Sequence, residues 1–116
     1  MILHYALNSR AVRVAWLLEE LGLHYTINKH SLGDLKMREP EFLKINPLGR
    51  VPVLEDNNII LTESGAIIQY ILSKYGHKNF APDTENKNYP LYLQWFHFAE
   101  GMIMPQMNII VVETIL

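Results

Sequence analysis

Three short stretches of this chain combine hydroxyl, charged and turn-forming residues where the backbone must change direction. Asn8-Ser9-Arg10 lies between a β-compatible stretch, Ile2–Tyr5, and a helical pattern. A helix N-terminus presents unpaired amide donors and partial positive charge, so this loop suits an anion, and the Ser9 hydroxyl adds a donor. The competing reading is that Ser9 is only a helix cap. Arg10 and Arg13 put cations where they oppose the helix dipole, which makes Arg10 a ligand candidate; a solubilising surface arginine is the alternative. Arg50-Val51-Pro52-Val53 enters a strand. An X–Pro bond between a glycine turn and a strand is a candidate cis bond, and proline at a strand start leaves the preceding backbone able to pair with an extended peptide. An ordinary edge-strand proline explains the same residues. Glu63-Ser64-Gly65 opens another helix. Ser64 and its amide suit a carboxylate, Glu63 suits an ammonium group, and Gly65 permits close approach. A helix cap plus a favourable first-turn acid is the alternative.

Other chemistries are excluded by composition. The chain has no cysteine. That removes a Cys-x-x-Cys redox pair, a cysteine nucleophile, thiolate metal sites and disulfides. His4, His24, His30, His77 and His97 form no metal-ligand spacing and read as structural or surface residues; no metal is expected. Ten Lys+Arg against twelve Asp+Glu give a net charge of −2, which offers no footprint for nucleic acid. With 116 residues, 49% hydrophobic and 19% charged, the chain is core-forming and near the commonest single-domain size. Its first residues lack a secretory signal pattern. No apolar run reaches the ~20 residues of a membrane span. A soluble, cytoplasmic protein is the expectation.

The elements that position these loops follow from periodicity. Ala11, Val14, Ala15, Leu18 and Leu21 recur at helical spacing, and Gly22 stops that helix. Tyr25–His30 alternates as a second strand, so the first thirty residues predict a βαβ unit with a parallel pair. Pro40 begins a short helix running through Ile45. Asn46-Pro47-Leu48-Gly49 is turn chemistry. Val51–Glu55 and Ile59–Leu61 flank Asp56-Asn57-Asn58 as a hairpin. Ile67, Ile68, Ile71, Leu72 and Tyr75 mark a third helix that Gly76 ends. The order βαβ, α, ββα predicts an α/β fold with a four-stranded mixed sheet. His77–Asn88 is polar and linker-like. Tyr89 opens a further helix, apolar on all sides, that Pro105 should kink or break.

These landmarks resemble the glutathione S-transferase family. The matching text is His4-Tyr5-Ala6-Leu7-Asn8-Ser9-Arg10, Trp16-Leu17-Leu18-Glu19-Glu20-Leu21-Gly22-Leu23, Asn46-Pro47-Leu48-Gly49-Arg50-Val51-Pro52-Val53-Leu54-Glu55-Asp56 and Leu61-Thr62-Glu63-Ser64-Gly65-Ala66-Ile67. Phe98-Ala99-Glu100-Gly101-Met102-Ile103-Met104-Pro105 resembles the first helix of the family's second domain. The serine in the first loop is most similar to a fungal and bacterial branch.

The resemblance implies a thioredoxin-like glutathione-binding domain over 1–77, a linker over 78–88, and over 89–116 the first helix of an all-α domain whose other helices this chain lacks. It implies that the Val51 backbone pairs with the cysteinyl part of glutathione beside a cis Pro52. Ser64 takes the γ-glutamyl carboxylate and Glu63 the amino group. Arg50 or Lys36 meets the glycyl carboxylate. Ser9 donates a hydrogen bond to the glutathione sulfur, with Tyr5 as rival for that contact. Glutathione is the implied co-substrate, a small electrophile the second substrate, and a homodimer the expected assembly. A non-catalytic glutathione- or protein-binding module is the alternative if the further helices are missing.

Overall fold

The computed structural model describes residues 1–76 and 80–115. The chain divides into two compact units, 1–77 and 78–116. The expected linker over 78–88 and the last helix to 116 each extend onto residues outside the described ones.

In the first unit, β1 (Ile2–Ala6) is followed by α1 (Ala11–Glu20) and β2 (Thr26–His30). One 3-10 turn (Leu35–Arg38) leads to α2 (Pro40–Ile45), then β3 (Val53–Asp56), β4 (Ile59–Thr62) and α3 (Ser64–Tyr75). The sheet order is β2-β1-β3-β4, with β1 and β2 parallel and the other pairs antiparallel. This is the thioredoxin-like α/β arrangement, with a mixed four-stranded sheet, that the sequence predicts.

Pairing period sorts the side chains. Leu3 and Leu54 face α1 and α3 and join Val14, Leu18, Ile67 and Ile71 in the larger core. On the other face, Val53 packs with Met37 and with Phe42 of α2. Helix α1 stops as expected at Gly22, whose φ is +62°. The Gly22 amide donates to the Glu19 carbonyl and the Leu23 amide to the Leu18 carbonyl, which satisfies two carbonyls the helix would leave open.

The structure corrects several boundaries. Strand β3 begins at Val53 and not at Val51, because Val51-Pro52 is a cis peptide bond outside the ladder. It runs on to Asp56, which pairs with Ile59, so the hairpin turn is Asn57-Asn58 alone. Strand β4 includes Thr62, and β2 starts at Thr26.

The second unit holds α4 (Tyr89–Phe98), one wide π turn (Ala99–Ile103) and α5 (Met104–Ile115), in immediate succession. Of the kink or break expected at Pro105, a break does not occur. The Met104 amide instead donates to the Ala99 carbonyl, five residues back. Widening the turn just before the proline re-pairs the backbone where its missing donor would leave a gap. No residue of α4 is buried, and Leu91, Trp95, Met102, Ile109 and Val112 are exposed. Among the described residues, no helix is long and apolar enough to cross a membrane.

Candidate functional site

The three stretches singled out above meet at one end of the sheet. Strand β1 ends at Ala6, directly before Leu7-Asn8-Ser9-Arg10. Antiparallel pairing sets His4 opposite Val53, so Val51-Pro52 enters β3 at the Ala6 end of β1. Val53 in turn pairs with Thr62, and Glu63-Ser64 therefore leaves β4 at that same end. Parallel pairing of Ala6 with His30 adds the loop after β2, with Lys36 exposed on the 3-10 turn beyond it. Helices α1 and α3 both begin here, and neither has an acidic residue in its first turn. The two helix dipoles give this end of the sheet a positive partial charge.

Each loop is held by its own local bonds. In the first, Asn8 takes a φ of +59°. The Ser9 hydroxyl accepts from the Ala11 amide at 3.1 Å and donates to the Ala6 carbonyl at 2.6 Å. Arg10, rather than Asn8 or Ser9, is the residue flanking the helix. Ser9 still does a cap's work from one position further out. Tyr5, the rival residue, packs its ring with the Leu3–Val14–Leu18 cluster on the α1 and α3 side.

The second loop depends on two residues. Asn46, 4% exposed, ends α2; its side-chain amide donates to the Arg50 carbonyl at 2.7 Å and its Oδ1 accepts from the Leu48 amide at 3.1 Å. Gly49 has a φ of +60°, and a Cβ there would lie 2.6 Å from the Met37 carbonyl oxygen. Only glycine meets both demands. Pro52 is buried behind the cis bond, and Arg50 is exposed.

In the third loop Glu63 flanks α3 with a φ of +67°, a strained value for a side chain of its size. Ser64 is the first helical residue, not the cap, and is 4% exposed. Its hydroxyl oxygen accepts from Arg13 Nη1 at 3.4 Å. Arg13 is the residue that sequence reasoning missed. Its partner lies 51 positions away, and only an arginine on the buried side of the α1 pattern, next to Val14, hinted at it.

Lys36 and Arg50 both belong to loops at this end, but no contact joins them. Of the histidines, His24 and His97 are exposed, His4 is buried on the α2 face, half-buried His30 pairs with Ala6 and lies 3.1 Å from His4, and His77 lies outside the described residues. Among the described residues, no group of three His, Cys, Asp or Glu side chains could hold a metal ion. The arrangement suits an extended, peptide-like anion. One backbone segment lies beside a cis proline, and hydroxyls and cations flank it.

Residues 1–73 match the family described as glutathione S-transferase, N-terminal domain. The chain is 36% identical over 106 residues to glutathione S-transferase 3 of Schizosaccharomyces pombe, covering 90% of this chain and 43% of that protein. It is 35% identical over 117 residues to glutathione S-transferase 1 of Saccharomyces cerevisiae, covering 91% and 48%. A glutathione transferase homolog from Lodderomyces elongisporus, solved with two glutathione molecules per subunit, superposes with a TM-score of 0.83 at 28% identity over 92% of this chain and 53% of that one. The chain thus spans less than half the length of these two curated relatives.

Proposed function

Since this chain belongs to the glutathione S-transferase family, we propose that its first unit binds glutathione at the sheet end described above and stabilises the thiolate for attack on an electrophile. The observation that carries the reading is the convergence of three independent loops on that end, with the cis Val51-Pro52 bond between the other two. Val51 would pair its backbone with the cysteinyl residue. Ser64, with Arg13 beside it, would take the γ-glutamyl carboxylate and Glu63 the amino group. Arg50 or Lys36 would meet the glycyl carboxylate, and a homodimer in the cytoplasm is the assembly and place the family suggests.

The sulfur chemistry has a definite energy. A thiol of pKa about 8.5 is mostly protonated at pH 7. Lowering it two units needs about 2.7 kcal/mol of preference for the thiolate. A hydrogen bond from Ser9 to a charged sulfur contributes about 1.5–3 kcal/mol. Its proton is engaged with Ala6 at 2.6 Å, however, and turning it away gives back about 0.5–1.5 kcal/mol. The α1 N-terminus adds roughly 0.3–1 kcal/mol. Ser9 and α1 together therefore account for about one pKa unit or slightly more. The thiol proton leaves to solvent, the sulfur forms the new bond to carbon, and the leaving group departs with its electron pair.

The test begins with retention on immobilised glutathione, followed by a conjugation assay with an aryl halide. Retention with turnover supports the whole reading; retention without turnover supports a glutathione-binding module. No retention ends both. Ser9→Ala should raise the thiol pKa of bound glutathione by about one unit, read as thiolate absorbance against pH. An unchanged titration, with Tyr5→Phe shifting it instead, reassigns the sulfur contact to Tyr5.

A further inference from the structure

Lys36 and Arg50 do not touch, but a further residue joins the two turns that carry them. Arg38 closes the 3-10 turn Leu35–Arg38, ahead of α2. Its Nη1 donates at 3.0 Å to the Leu48 carbonyl, in the turn that follows α2. A Cβ on Gly49 would lie 3.0 Å from that same Nη1 and 3.2 Å from Arg38 Cδ, so the arginine side chain lies across the bare Cα of Gly49. The segment from 35 to 49 therefore closes on itself around α2.

Both ends of this bridge are fixed. Asp34 Oδ1 accepts from the Lys36 amide at 2.9 Å, and the Asp34 carbonyl accepts from the Met37 amide at 3.1 Å. Met37, next to Arg38, is buried with Phe42 and with Val53 of β3. On the other side Leu48 is held through both of its backbone groups. Its amide donates to Asn46 Oδ1 at 3.1 Å, and its carbonyl takes Arg38. The Gly49 amide donates to the Asn46 carbonyl at 2.9 Å.

The bridge fixes the orientation of one peptide. Val51-Pro52 is the cis bond, whereas Arg50-Val51 is trans, so the C=O and N–H of that unit point opposite ways. Asn46 Nδ2 holds the Arg50 carbonyl at 2.7 Å, which turns the Val51 N–H away from the end of α2. Asn46 reaches that carbonyl across the turn 47–49, and Arg38 ties the turn to the buried Met37 side of the fold. We propose that Arg38 is a positioning residue for the glutathione site: it locks Leu48 and Gly49 so that Asn46 presents the Val51 amide to the cysteinyl backbone. It acts through the turn and not by touching the ligand.

The first test needs no ligand. Arg38 is exposed and belongs to neither core cluster, and the side chain in Arg38→Gln is too short to reach the Leu48 carbonyl. Amide exchange by NMR should become about five-fold faster or more at Leu48 and Gly49, with the amides of β1 unchanged. Unchanged exchange at Leu48 and Gly49 overturns the inference. Equal acceleration in β1 also overturns it, because that is general destabilisation. Arg38→Met keeps the stem over Gly49 and loses the donors, so it should show the same local acceleration and decides the matter if Arg38→Gln does not fold.

The second test rests on the glutathione reading. Calorimetry compares glutathione with the ethyl ester of γ-glutamylcysteine, which lacks the glycyl carboxylate. Apparent affinity scales with the population of the locked turn, so Arg38→Gln should weaken both ligands by the same factor, about five-fold. A loss for glutathione alone makes Arg38 a direct partner of the glycyl carboxylate and overturns the positioning role; so does a loss for neither. If the unaltered chain binds neither ligand, the glutathione reading falls, and amide exchange still decides whether Arg38 locks the turn.

Discussion

Asp56→Asn should remove a pH-dependent clasp between the sheet and the last turns of α3. Asp56 ends β3 and is 4% exposed. Its Oδ2 accepts from Tyr75 at 2.5 Å, Tyr70 at 2.7 Å and Lys74 Nζ at 2.9 Å. Three donors on this one oxygen favour the charged form of the carboxylate. Tyr75's hydrogen bond leads, those from Lys74 and Tyr70 add to it, and burial opposes, leaving the carboxyl at about 2 against an ordinary 3.8. At 1.36 kcal/mol per unit, that shift stabilises the fold by about 2 kcal/mol at neutral pH. Because the folded value is the lower one, the stabilisation is present above pH 3.8 and is lost as pH falls toward 2.

Asparagine keeps one acceptor, loses the charge, and turns an N–H₂ toward three donors. Urea unfolding followed by far-UV circular dichroism at pH 7, 5 and 3 measures the consequence. The variant should be less stable by about 2 kcal/mol at pH 7 and 5, and by about half of that at pH 3. A gap of equal size at all three pH values would refute the electrostatic account and leave only packing. Tyr75→Phe, which removes the leading donor, should raise the Asp56 carboxyl more than Tyr70→Phe does in a carbon NMR titration.

Two further substitutions test the ligand loops. Gly49→Ala places a methyl against the Met37 carbonyl and forces alanine to a φ of +60°, so it should cost about 2–3 kcal/mol in urea unfolding and abolish retention on glutathione resin. An alanine variant of full stability and retention would show that the loop relaxes freely. Arg13→Gln removes a cation 3.4 Å from the Ser64 hydroxyl and should weaken glutathione binding about ten-fold by calorimetry, in keeping with one lost charge-assisted contact. Unchanged affinity would detach Arg13 from the γ-glutamyl subsite.

What the sequence made legible follows the range of the interactions involved. Local rules placed α1, because Val14 and Leu18 lie one turn apart and Gly22 can adopt the left-handed stop. They also placed the turn at Asn46-Pro47-Leu48-Gly49, where turn formers cluster. They could not show why Gly49 is glycine, since the Met37 carbonyl that excludes a side chain comes from another element. They misjudged β3, because a hydrophobic Val51 reads as strand whether or not the following bond is cis. Pro105 shows what a local rule leaves open: it forecast a kink or a break, and the structure has a widened turn between α4 and α5 just before the proline.

The site shows the same division. Ser9, Pro52 and Ser64 were visible because each sits at a junction between periodic segments, and junctions are where the backbone leaves groups unpaired. Arg13 and His4 were not. Each lies inside a regular element, and its role arises only when the sheet sets Ser64 beside α1 and Glu55 beside His4. A buried histidine carries no sequence mark that separates it from a surface one. The register does separate them: pairing of His4 with Val53 turns its ring onto the α2 face, beneath Phe42. The candidate ligand groups at the junctions are thus found from local chemistry, whereas the partners of Arg13 and His4 are found only through strand pairing and packing. Mutations at positions of the second kind should act through stability more than through the sulfur, which is why Asp56 is the sharper test of this fold.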